Sequence, residues 1–167
     1  APRDWLGKEF LDGADWLRKT KPLKYRHMYL GEMVGSGTQV FDNIVSRKIT
    51  AKEIAGFDNI ISGVDWGYYP DPWVFIRTYY HAGTRTLYIF DEARGNKLQN
   101  DYTARLVKER VAPGELILAD LADEKSCADY RSYGLRCWPA RKGPGSRELG
   151  VRWLQGLNAI VIDPIKC

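Results

Sequence analysis

The sequence predicts an α/β fold: a mixed sheet of three antiparallel strands followed by βαβ units, with helices on both faces. Three observations point there. Between residues 59 and 92, three apolar runs follow one another with only turn signals between them. From residue 98 onward, stretches with helical spacing alternate with short apolar runs, the rhythm of βαβ units. Two of the runs, Ile60–Asp65 and Leu116–Asp120, deliver an acid at their ends. A carboxylate at the end of a buried strand costs several kcal/mol of desolvation unless a partner compensates it.

The N-terminal part, 1–56, is expected to stand apart from a sheet domain at 57–167. Trp5, Leu6, Phe10, Leu11, Ala14, Trp16 and Leu17 are spaced as a helix over about 2–18, which Thr20-Lys-Pro-Leu interrupts. Residues 23–41 alternate loosely, with Gly35-Ser-Gly as a break. A short helix follows at 49–54, where Thr50 and Glu53 have capping-box spacing. Strands are expected at 59–66, 73–81 and 85–92, with His81-Ala-Gly-Thr-Arg as the turn between the last two. A helix over 98–111, with Tyr102, Leu106 and Val107 inward, ends at Pro113-Gly114. Then come a strand at 115–120, a helix at 124–133 closed by Gly134, and a strand at 135–139. Ser146 caps a helix over 146–157, with Leu149, Trp153, Leu154 and Leu157 inward, and a last strand spans 159–162. This β-β-β-α-β-α-β-α-β order matches the ribonuclease-H-like fold, in which the first and fourth of these strands lie side by side.

The 167 residues suffice for one full-sized domain with room for an appendage, and 44% apolar and 28% charged residues are ordinary for a globular chain. No apolar run of about 18 residues exists, so no transmembrane helix and no membrane partner are expected. The N-terminus has no hydrophobic signal core, which argues against export. Cys127, Cys137 and Cys167 form no CxxC and read as ordinary thiols of a reducing compartment. The net charge of +4 is compatible with a polyanion partner without requiring one. GxxxxGK[ST] is absent, so the chain has no P-loop.

Asp65 and Asp120 are the candidate metal ligands and catalytic acids. Carried on neighbouring strands, they suit Mg²⁺ or Mn²⁺, and two such ions about 4 Å apart can activate a water and stabilise a leaving oxygen. Each acid alone reads equally as a cap or turn residue. Asp123 and Glu124 either favour the dipole of the helix at 124–133 or stand behind the metal ligands and take up a metal-bound water. Asp91 and Glu92 end a strand farther away and read as surface residues. Arg136, Arg141, Lys142, Arg147 and Arg152 gather around Lys-Gly-Pro-Gly-Ser, either as a solvated loop or as a phosphate contact at a helix start. His27 and His81 lie far apart and read as surface histidines.

Four segments together resemble the nuclease end of the large subunit of tailed-bacteriophage terminases, the DNA-packaging motor proteins. They are Lys24-Tyr-Arg-His-Met-Tyr-Leu-Gly-Glu with Val40-Phe41, Gly63-Val-Asp-Trp-Gly-Tyr with Pro70-Asp-Pro, Ala119-Asp-Leu-Ala-Asp-Glu-Lys-Ser, and Pro139-Ala-Arg-Lys-Gly-Pro-Gly-Ser. The resemblance implies that Asp65 and Asp120 are metal-binding acids of an endonuclease that cuts concatemeric double-stranded DNA when packaging starts and ends. It implies a terminase small subunit and a portal protein as partners, and a place at the procapsid portal in the cytoplasm of the bacterial host. It also implies that residues 1–56 are the tail of an ATPase region before residue 1, and that a third acid follows Cys167, so that 57–167 is a truncated nuclease domain. Another ribonuclease-H-like nuclease of the resolvase type, or a DNA-docking module without chemistry, is the alternative.

Overall fold

A computed structural model describes residues 7–20, 22–30, 40–120 and 123–167. The chain forms two compact units, Ala1–Asp42 and Asn43–Cys167. In the first, α1 spans Lys8–Thr20 and α2 spans Pro22–Leu30. Trp5, Leu6 and the Gly35-Ser-Gly break lie outside the described residues. The first part of the loosely alternating 23–41 stretch lies in α2, which opens on Pro22, whose fixed φ suits a first turn; residues 31–39 lie outside the described residues. Tyr25 and Tyr29, four residues apart, stack with ring centroids 5.2 Å apart, and Phe10 meets Tyr29 edge-on.

The second unit contains β1 (Ile44–Ser46), α3 (Ala51–Ala55), β2 (Ile60–Asp65), β3 (Trp73–His81), β4 (Thr86–Gly95), α4 (Asn100–Lys108), β5 (Leu116–Ala119), α5 (Glu124–Ser132), β6 (Arg136–Pro139), α6 (Ser146–Gln155) and β7 (Ala159–Ile162). One seven-stranded mixed sheet results, in the order β1-β7-β4-β3-β2-β5-β6. The β2–β3–β4 meander is antiparallel, and β5 joins β2 in parallel, as the strand order predicts. Residues 43–56, which the sequence groups with the N-terminal segment, instead supply an edge strand and a helix to this unit. β1 pairs β7 in parallel through Ile44↔Ile160. Three residues are too few to show a period, so β1 has no signature in the sequence. The helix α3 does have one: Thr50 Oγ1 accepts from Glu53 N–H and Glu53 Oε2 accepts from Thr50 N–H, a complete capping box.

The main core lies under α4 and α5. Val64, Trp73, Phe75, Ile117 and Ala119 from the sheet meet Ala104, Val107, Cys127 and Tyr130 from the helices. A second cluster joins Ile49, Tyr79, Phe90 and Val161, with Phe57 stacked on Tyr79 at 4.2 Å.

Two inward faces and one cap differ from expectation. In α4, Tyr102 is exposed and Thr103, Ala104 and Val107 are buried. Small side chains allow close helix packing there, a criterion that apolarity alone does not supply. In α6, Leu149 and Trp153 are exposed, while Leu157, just beyond the helix, is buried. The N-cap of α6 is Gly145 rather than Ser146. A turn from Gly143 O to Ser146 N–H puts Gly145 at φ 72°, a left-handed conformation that glycine adopts without a Cβ penalty, and leaves Ser146 inside the helix.

Asp163, just after β7, is a buried structural acid. Its Oδ2 accepts from Ile49 N–H at 2.9 Å and its Oδ1 from Ile165 N–H at 3.0 Å, which holds the carboxyl below its ordinary value of 3.8. A group with a depressed folded pKa stabilises above its unfolded value and loses that stabilisation as pH falls through the folded one. Asp163→Ala is therefore expected to lower the melting temperature at pH 7, and the gap to wild type should close as the pH drops below about 3.8. A gap that stays constant across that range, followed by thermal melts, would count against this role.

Candidate active site

The two acids of interest sit where parallel strands β2 and β5 end together. Val64 pairs with Ala119, and Asp120 N–H donates to Val64 O at 3.1 Å, so the ladder continues one step and sets Asp120 beside Asp65. Neighbouring strands lie about 4.8 Å apart, and residues paired across them share a face. Val64 and Ala119 point into the main core. The alternation of a strand then turns Asp65 and Asp120 to the opposite face. There both line one open concavity of about 360 Å³, with Gly63, Val74, Ile76 and Leu118 among its apolar walls.

The chain leaves Asp65 by a tight fold-back. A Cβ on Gly67 would lie 2.2 Å from Pro72 O, so no other residue fits there. Tyr68 O then accepts from Lys97 N–H at 2.7 Å, which ties this loop to the end of β4. On the β5 side, Ala140 N–H donates to Ala119 O at 2.7 Å and brings the loop after β6 beside Asp120. From that loop Lys142 Nζ donates to Asp120 Oδ1 at 2.7 Å, with the lysine side chain 48% and the aspartate side chain 31% exposed.

The remaining sequence candidates divide by position. Arg141 and Arg147 are exposed in the loop and in the first turn of α6, near Lys142 in the chain. Arg136 is not with them. It begins β6 and reaches Gly114 O at 3.4 Å, at the far end of β5 from Asp120. Arg152 is also remote, in the last turn of α6, which ends against Arg85 in the β3–β4 turn. Asp123 departs from the place behind the metal ligands that the sequence allows. It is the N-cap of α5, its Oδ1 accepting from Ser126 N–H at 3.0 Å and its Oδ2 from Ser126 Oγ, and these bonds hold its carboxyl below the ordinary range. It lines a different concavity, with Trp66, Asn100 and Asp129. Asp91 pairs with Arg110 at 2.6 Å, on a strand two removed from that of Asp65, and register carries it through Arg77 to Ser62, three residues before Asp65. His81 is exposed and its Nδ1 accepts from Thr84 N–H, while the side chain of His27 lies outside the described set.

Sequence alone does not find Arg94. Register carries Asp65 to Val74 and Val74 to Arg94, so this exposed arginine shares the cross-strand row and face of Asp65. The same reasoning places exposed Trp138 opposite Leu118, at the edge of that face.

The donor set suits a hard divalent cation. Two partly exposed carboxylates share one face, with room for the waters that Mg²⁺ retains, and a cation already rests on one of them in the form of Lys142. Among the described residues no group of three His, Cys, Asp or Glu comes together, so the site as described offers two carboxylates. The thiols are elsewhere. Cys127 and Cys137 are buried in the core and burial pushes both up, Cys137 to about 12, so neither is a ready metal ligand. Among the described residues no helix is long and apolar enough to cross a membrane.

No protein-family model matches the chain. It is 40% identical over 166 residues to the terminase large subunit of Bacillus phage SPP1, an alignment covering 97% of this chain and 39% of that protein. It is 31% identical over 147 residues to the PBSX phage terminase large subunit of Bacillus subtilis strain 168, covering 86% of this chain and 34% of that one. The chain thus spans between a third and two fifths of the length of these curated relatives. Among solved structures, the manganese-bound large terminase nuclease domain of bacteriophage SPP1 matches with a TM-score of 0.70 and 38% identity, over 75% of this chain and 73% of that one.

Proposed function

This chain belongs to the family of phage large-terminase nuclease domains, and we propose that it is a metal-dependent DNA endonuclease in which Asp65 and Asp120 hold the ion. One observation carries the reading: the two carboxylates end neighbouring parallel strands and line one concavity. Mg²⁺ or Mn²⁺ is the ion the donor chemistry favours, and the manganese in the SPP1 nuclease domain supports it. Such an ion supplies a nucleophile at neutral pH and offsets charge on the reacting phosphate. The protein's own part is to fix the ion between two strand ends and to present cations to the backbone. Arg141, Lys142 and Arg147 do so from the loop and the start of α6, and Arg94 from the row of Asp65. Arg136 and Arg152, at the far end, contribute little. The two carboxylates that the described residues bring together fix one ion more firmly than two, which favours slow cutting.

In the wider protein, we place this activity in cutting concatemeric double-stranded DNA at the start and end of packaging, beside an ATPase region, a small subunit and the portal, in the host cytoplasm. Asn43–Cys167 is the nuclease domain in this reading, and Ala1–Asp42 leads into it.

Nicking of supercoiled plasmid in Mn²⁺ tests the proposal: wild type nicks slowly and Asp65→Ala does not nick at all. Equal rates for the two proteins overturn it. DNA binding is expected to be largely independent of sequence. Replacing Arg141 and Lys142 with Ala should flatten the slope of log affinity against log salt by about 0.9 for each phosphate that is no longer neutralised. The same change at Arg136 and Arg152 should leave the slope almost unaltered. An unchanged slope in the Arg141/Lys142 variant would show that the loop does not touch phosphate.

A further inference from the structure

We propose that Lys142 is the resident counter-ion of the candidate metal site, displaced from Asp120 when the cation binds and thereby delivered to the DNA backbone. The inference rests on the metal reading of Asp65 and Asp120. Lys142 Nζ lies 2.7 Å from Asp120 Oδ1, inside the distance at which an ammonium and a divalent ion compete for one carboxylate oxygen. The lysine belongs to a loop held at this spot by its backbone, through Ala140 N–H on Ala119 O, so its stem starts beside the acid whether or not the ion pair is made. Residues 141–150 are exposed throughout, which leaves the ammonium free to swing once released. Both side chains of the pair are partly exposed, so the contact is weak enough for a divalent ion to break. Two roles follow for one residue. In the metal-free protein Lys142 offsets the charge of Asp120 close to the Asp65 carboxylate. In the loaded protein it is a free cation at the rim of the concavity, where a phosphate would lie. Metal and DNA binding are then positively coupled.

The test compares wild type, Lys142→Met and Lys125→Met. Lys125 lies in the neighbouring concavity and serves as a control for loss of one charge. Calorimetric titration with Mn²⁺ should show about two- to fivefold tighter binding to Lys142→Met than to wild type, the range that a partly exposed ion pair carries. Lys125→Met should bind as wild type does. In salt titrations of a short duplex, checked for integrity on a denaturing gel, wild type and Lys142→Met should share one slope without metal. With Mg²⁺ present, the wild-type slope should be steeper by about 0.9, the value for one neutralised phosphate. Unchanged or weaker Mn²⁺ binding to Lys142→Met, or equal tightening in Lys125→Met, overturns the proposal. Wild type that binds no Mn²⁺ would instead overturn the metal reading on which it rests.

Discussion

Asp120→Asn should abolish calorimetric Mn²⁺ binding and reduce plasmid nicking by about a hundredfold or more. The amide keeps the shape of the carboxylate and removes the charge that a hard cation requires. Misplacing a reacting group by 1 Å already costs about a hundredfold, and loss of a ligand displaces the ion further. The ion pair with Lys142 that the change also weakens is partly exposed and contributes about 0.2–1 kcal/mol. Asp65→Asn should behave alike. Asp123→Asn should differ in the opposite sense: it alters the α5 cap and leaves Mn²⁺ affinity intact, since its carboxylate serves Ser126. Retained Mn²⁺ affinity in both Asp65→Asn and Asp120→Asn would mean that the acids at the strand ends are capping residues.

The largest effect on stability is expected at Glu115. Its side chain is 4% exposed and its carboxylate takes both Nε and Nη2 of Arg77, which is itself 14% exposed, together with Ser62 Oγ at 2.7 Å and Ala112 N–H at 3.2 Å. Burial works to raise the Glu115 pKa, and these four donors outweigh it, so the carboxyl is lowered overall. Glu115→Ala leaves the Arg77 guanidinium buried without its partner, at a cost of about 3–5 kcal/mol. The Arg47–Glu53 pair provides the contrast. It is more than a third exposed on both sides, so Glu53→Ala should cost about 1–2 kcal/mol, most of it from the lost capping box. Urea unfolding of the two variants at pH 7 measures the difference. A loss below about 1 kcal/mol for Glu115→Ala would show that Arg77 finds water or another partner.

Much of this was legible in the chain. The strands at 73–81 and 159–162 and the α3 capping box could be read directly, because runs of β-branched and aromatic residues and the Thr-x-x-Glu spacing are local signals. The pairing of Asp65 with Asp120 was readable only through strand order, which sets the β2 and β5 ends together. What escaped depends on long-range register or on packing. Arg94 joins the acid row only through two antiparallel pairings. Arg136 and Arg147 look equivalent in a basic run, yet a strand and a loop separate them to opposite ends of the fold. Tyr102 has the apolar content for a core position, but close helix packing selects Thr103 and Ala104 instead. Asp163 reads as a surface acid in the sequence and is buried in the fold, where the distant Ile49 N–H joins the neighbouring Ile165 N–H in donating to it.

Anomalous diffraction from crystals soaked in Mn²⁺ tests the central claim most directly. A manganese peak is expected between the ends of β2 and β5, with oxygens of both Asp65 and Asp120 at about 2.1 Å and Lys142 Nζ moved off Asp120. A peak coordinated by neither acid, or carboxylates more than about 8 Å apart across an occupied site, too far for one or two ions to link them, would contradict it.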